Sequence, residues 1–133
     1  YACRAGAETN FTFGDSLSSL QANFNGSLPS AGAKKGPSLG RPTTVGSYRS
    51  NAFGLYDMHG NVNEWCQDRY GSYPRGAVTD PTGPSSGSRR VTRGGSWLDS
   101  ADSCRSARSG FDAASPDDQY ISLGFRVLRS SIK

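Results

Sequence analysis

The chain has 133 residues, of which 34% are hydrophobic, and it carries 17 glycines and 7 prolines. That composition excludes a helical bundle, a coiled coil and a membrane-spanning helix, while six phenylalanines, six tyrosines and two tryptophans are too many for a disordered chain. The net charge of +4 arises from 15 basic and 11 acidic residues with no basic stripe and no recognisable motif, so nucleic-acid binding is not expected.

In chain order, residues 1–14 end in the alternation Phe11, Phe13, a short strand signal. Residues 15–50 carry the breakers Asn25-Gly26, Lys35-Gly36-Pro37 and Gly40-Arg41-Pro42 and read as a long irregular surface excursion. A structureless run of that length in a compact domain is functional or tied down by something, for example an ion. Residues 51–70 are the densest apolar segment. Leu55, Met58, Val62 and Trp65 have helix-like spacing, but Gly54 and Gly60 oppose a helix, which predicts tight turns leading into a strand near 62–69. Residues 71–88 are a second turn-rich loop, and residues 90–97 and 124–129 alternate as strands do. Short strands between long loops indicate a single α+β or mostly β domain with little regular structure.

The residues offer few chemical constellations. Cys3, Cys66 and Cys104 form no CxxC pair, and His59 is the only histidine, so a zinc site is not expected. One disulfide with a free thiol and three free thiols both remain open; Cys66 reads as a partly buried core thiol. His59 reads as a structural hydrogen-bonder, and Trp65 and Trp97 as core aromatics. Asp57 and Glu64 are two carboxylates seven residues apart, and the glycine and asparagines between them permit a curled backbone that aims carbonyls inward, a pattern suited to calcium. The alternative is that Asp57 caps a turn and Glu64 pairs with an arginine. Arg93, Arg105, Arg108 and Arg126 are expected to bind loop carbonyls and carboxylates such as Asp99 or Asp112, with a groove for an anionic ligand or peptide as the sharper reading.

Five segments taken together, YACRAG at 1–6, NAFGLYDMHGNVNEW at 51–65, DPTGPSSGSRRVTRGGSW at 80–97, CRSARSG at 104–110 and LGFRV at 123–127, resemble the formylglycine-generating enzyme (sulfatase-modifying factor) family. The resemblance implies that family's loop-rich variant of the C-type-lectin-like fold. It also implies that the chain corresponds to the C-terminal portion of the domain, with a front portion absent, cleaved or supplied by another chain.

By the same resemblance, a structural calcium would be held by the side chains of Asp57 and Glu64 and the carbonyls of Gly60 and Val62. A second calcium would use Asn23 and Phe24, although its remaining ligands fall in KKGPSL, which has no acid. The family's oxidases bind copper(I) through two cysteines just after a GGS motif. Here Gly94-Gly95-Ser96 is followed by a shorter loop in which only Cys104 occurs. One thiol does not make that site, so copper and conversion of a substrate cysteine to formylglycine are not expected; a divergent oxidase is the alternative. Relatives with a cysteine at the Cys3 position pair it with one near Cys104, which implies a Cys3–Cys104 disulfide and tilts the compartment toward the periplasm or outside. The expected function is a calcium-stabilised, non-catalytic binding or scaffold domain, an accessory subunit or a ligand-displaying module. Its partner would be a protein, a peptide or a glycan. The expected ligand surface is the loop 98–122 beside 71–88, with Arg93, Ser96, Trp97, Arg105 and Arg108.

Overall fold

The computed structural model describes residues 1–30, 32–73, 75–79, 81–108 and 120–129. Among these, regular structure is sparse: β1 (Asn63–Arg69), β2 (Arg90–Arg93), a single 3-10 turn (Ala101–Cys104) and β3 (Leu123–Gly124). The strands form one sheet in the order β2-β1-β3. β1 runs antiparallel to β2, pairing Glu64 with Arg93 and Trp65 with Thr92, and the register shifts before Arg69 meets Arg90. β1 runs parallel to β3, with Glu64 opposite Gly124.

The strand expected near 62–69 is present almost in full, those at 90–97 and 124–129 are present but shortened, and the signal at Phe11 and Phe13 gives no strand. β2 stops at Arg93 because Gly94 and Gly95 take φ of 99° and 72°, outside any strand conformation. The Phe11, Phe13 alternation yields only an isolated bridge between Phe11 and Gly14. The N–H of Thr12 goes instead to Nε2 of His59 at 3.0 Å, so it is lost to a ladder. β3 is Leu123 and Gly124, so it covers only the first residue of the expected 124–129 strand and the leucine before it.

The core lies off the sheet. Phe11, Leu17, Ala22, Phe24, Ala101 and Cys104 pack together, with Phe13 against them. Trp65 and Trp97, expected in the core, are half-buried. Main-chain bonds sew the first thirty residues to the 3-10 turn: Asn25 N–H to Asp99 O (2.9 Å), Ala101 N–H to Leu28 O (3.0 Å) and Ser106 N–H to Asn10 O (3.1 Å).

The long excursion is held by asparagines. Buried Asn61, at φ 70°, accepts the Thr43 N–H (2.8 Å) and the Asn23 Nδ2 (3.2 Å) on its Oδ1, while its own N–H reaches Asn23 O at 2.7 Å. Asn51 accepts the N–H groups of Phe53 and Leu55 and donates to Ala2 O at 2.8 Å. Side-chain amides thus supply the backbone pairing that helices and sheets provide elsewhere.

Candidate functional site

The predicted site residues fall into three groups around β1. The first is the segment leading into β1. Asp57 adopts φ 53°, and its Oδ2 accepts the Gly46 N–H at 2.7 Å. Glu64 meets Arg126, with Nε to Oε2 at 2.8 Å and one terminal nitrogen to Oε1 at 2.7 Å, and that same nitrogen also reaches Tyr56 O at 3.0 Å. The arrangement is therefore the one in which Asp57 caps a turn and Glu64 pairs with an arginine. Asp57, Gly60, Val62 and Glu64 suit calcium in kind, since all four offer hard oxygens. They do not fit it in arrangement, because a guanidinium occupies both Glu64 oxygens.

The second calcium set also does not fit. Asn23 is buried and its Oδ1 has no hydrogen-bond partner, as an ion ligand's would. Yet no acid occurs between Asp15 and Asp57, so around Asn23 and Phe24 the chain's own loop adds only positive charge. Among the described residues no group of three or more His, Cys, Asp or Glu side chains is placed to hold a metal.

The second group surrounds His59, which is 2% exposed. Its Nε2 accepts from Thr12 N–H, so Nδ1 carries the proton and donates to Cys104 O at 2.8 Å. Phe11 stacks edge-on at 5.5 Å. Burial holds the imidazole below its ordinary pKa, against the opposing pull of the Cys104 carbonyl bond. With both nitrogens engaged, His59 has no lone pair for a base role.

Cys3 Sγ lies 3.9 Å from each ring nitrogen and contacts Met58 O and Ser106 Oγ at 3.4 Å. Cys104 is fully buried, its thiol reaching Ser100 O at 3.5 Å. All three cysteines are free thiols. Burial pushes each thiol above the ordinary range, most strongly Cys104. None has the electropositive, exposed setting of a reactive thiolate.

The third group follows β2. Ser96 is 1% exposed, and both its N–H (2.8 Å) and its hydroxyl (2.6 Å) go to Asp99 Oδ2. Asn63 closes the turn, donating to the same oxygen at 3.3 Å and accepting Gly95 N–H at 3.1 Å. Ser96, expected on a ligand surface, is thus a locked turn residue. Asp99, expected to receive an arginine, anchors that turn; Asp112 lies outside the described residues, as do 109–119 of the expected loop surface.

Arg93 donates to Arg108 O and to the Tyr73 hydroxyl, and Arg105 is exposed with Nε to Asp102 O at 3.2 Å. Arginines here bind chiefly carbonyls. Trp97 Nε1–H and Arg108 Nε–H are buried donors without a partner. The asparagines at 23, 51, 61 and 63 were not singled out by the sequence as organisers; the turn chemistry of Gly60-Asn61 was the available signal.

The chain matches the sulfatase-modifying factor enzyme 1-like domain over residues 1–131. It is 52% identical over 92 residues to the serine/threonine-protein kinase pkn1 of Chlamydia pneumoniae, covering 66% of this chain and 14% of that protein. It is 39% identical over 90 residues to the formylglycine-generating enzyme of Streptomyces coelicolor, covering 65% of this chain and 29% of that protein. Among solved structures, Treponema denticola variable protein 1 superposes with a TM-score of 0.78 at 31% identity, over 94% of this chain and 42% of that one. The chain thus spans less than half the length of these relatives.

Proposed function

This chain belongs to the sulfatase-modifying factor enzyme 1-like family, and from that premise we propose that it is a non-catalytic binding or scaffold domain. The observation that carries the proposal is the state of the thiols. The one cysteine after Gly94-Gly95-Ser96 is Cys104, which is fully buried; Cys3 and Cys66 lie elsewhere in the sequence. That loop therefore supplies one thiol where a two-thiolate copper(I) site of the family's kind needs two. Titration with copper(I), with the three thiols alkylated or free, tests this. Weak, non-stoichiometric uptake is expected, and tight binding of one ion lost in Cys104→Ser would overturn it.

Two features support a ligand or partner. The buried, unpartnered N–H groups of Trp97 and Arg108, with Arg93 and exposed Arg105 nearby in sequence, favour a ligand rich in acceptors, such as an acidic peptide. Tyr120, Ile121, Phe125, Val127 and Leu128 are all exposed along one ten-residue stretch that includes β3, the edge strand among the described residues, an apolar surface of the kind that other polypeptide covers. That surface supports association with a larger assembly or an accessory-subunit role.

Calcium enters the proposal only as a competitor of Arg126 for Glu64. In an oxidising, extracytoplasmic compartment Cys3 and Cys104 would be linked, closing a loop worth roughly 4–5 kcal/mol on chain entropy.

A further inference from the structure

Asn25-Gly26 reads as a turn signal in the sequence and has no part in the sites described above. The turn forms, with Leu28 N–H reaching Asn25 O at 2.9 Å. The setting of the Asn25 amide is the unusual feature. Its Oδ1 accepts from the Ser27 hydroxyl at 2.6 Å, the Ser27 N–H at 3.1 Å and the Ser38 hydroxyl at 3.1 Å. Its Nδ2 makes no hydrogen bond among the described residues, and neither does the Gly26 N–H. Asn25 is half-buried and both serines are exposed, so water has access from their side.

These groups are the parts of a ring closure. Attack of the Gly26 nitrogen on Asn25 Cγ forms an N–Cγ bond and puts negative charge on Oδ1. Donors already aimed at that oxygen bind it more strongly once it is charged, as in an oxyanion hole. The nucleophile has no hydrogen bond to give up and no Cβ on its own residue to hinder approach. The proton that the Gly26 nitrogen sheds passes through water to Nδ2, and the Cγ–Nδ2 bond breaks to release ammonia. The product is a succinimide. Water then opens it at Cγ, leaving an aspartate side chain at position 25, or at the main-chain carbonyl, leaving an isoaspartyl linkage.

We propose that Asn25 is a site of spontaneous deamidation that the fold promotes, with Ser27 and Ser38 holding the oxygen on which charge develops. The modification places a carboxylate in the stretch 16–56, which has none. The isoaspartyl form also lengthens the backbone where Gly26 O accepts Gly36 N–H at 2.9 Å, so that bond is lost with it.

The test is incubation of the whole chain in heavy-oxygen water at neutral pH, native and unfolded in guanidinium, followed by digestion and peptide mass analysis. Label should enter at position 25 before any other asparagine, and at least about threefold faster in the native protein than in the unfolded chain. The double variant Ser27→Ala, Ser38→Ala, altered at two exposed positions, should lose that native excess and leave the unfolded rate unchanged. A native rate equal to or below the unfolded one, a native excess that survives in the double variant, or earlier labelling of another asparagine would each overturn the proposal.

Discussion

Glu64 and Arg126, sixty-two residues apart in the chain, meet in a two-point ion pair that ties β1 to the segment after β3. The side chains are 23% and 37% exposed, so solvent screening limits the pair to roughly 1 kcal/mol despite its fork geometry. Arg126→Gln should therefore lower the melting temperature by only about 2–6 °C, with part of the loss reproduced in wild type by high salt. Thermal denaturation at two salt concentrations checks this.

The same pair sets the calcium response. If guanidinium and ion compete for one carboxylate, freeing Glu64 should favour the ion. Arg126→Gln is expected to bind calcium more tightly than wild type, and Glu64→Gln more weakly than either. Isothermal titration measures all three. Equal affinities for wild type and Arg126→Gln would remove the competition.

His59 is held neutral between a donor and an acceptor, and its folded-state pKa lies below the ordinary value. Above the unfolded-state value near ~6.5 both states are neutral and the group is silent. As pH falls below that value the unfolded chain takes up a proton that the folded chain resists, so stability declines until the folded pKa is reached. Denaturant midpoints measured from pH 8 to 5 should fall in the acid half. His59→Gln should lose that slope and cost roughly 2–4 kcal/mol, for the bonds to Thr12 and Cys104.

Gly95 is expected to be intolerant. A Cβ there would lie 2.6 Å from Cys104 Sγ and 3.0 Å from its Cα, at φ 72°. Both the clash and the conformation oppose a side chain, so Gly95→Ala should cost about 3 kcal/mol or more. Gly14→Ala, also at positive φ but with open space around it, should cost less. Chemical denaturation of the two variants separates packing from strain.

Thiol accessibility gives an independent reading of the core. Cys104 should resist alkylation in the native state and react only on unfolding, while half-buried Cys3 and Cys66 react earlier. Mass spectrometry of time points with iodoacetamide resolves the order. Early labelling of Cys104 would contradict the packing described around Gly95.

What the sequence made legible follows a physical divide. β1 could be read because Gly54 and Gly60 oppose the helix that the spacing of Leu55, Met58, Val62 and Trp65 suggests, which leaves a strand near 62–69. β2 could be read only to the point where Gly94-Gly95 bends away, since alternation through Ser96 and Trp97 says nothing of positive φ. The bridge at Phe11 was overestimated because Thr12's N–H has a long-range acceptor, His59, that no local pattern encodes. The same holds for the excursion at 15–50: Asn23, Asn51 and Asn61 hold it through amide-to-backbone bonds across 18 to 49 residues. Ser96 was misread as a surface group because a resemblance conveys position and not the neighbour, Asp99, that captures its hydroxyl. Asp57 and Glu64 were found as a pair of carboxylates, and their partners, Gly46 and Arg126, decided between the two readings left open.

The central claim is that this frame binds and does not oxidise. The direct measurement is incubation of the copper(I)-treated protein with oxygen, a thiol reductant and a cysteine-containing peptide of the sulfatase type, followed by peptide mass analysis. The account predicts an unmodified cysteine at every time point. Formation of the aldehyde in the peptide, lost in Cys104→Ser, would contradict it.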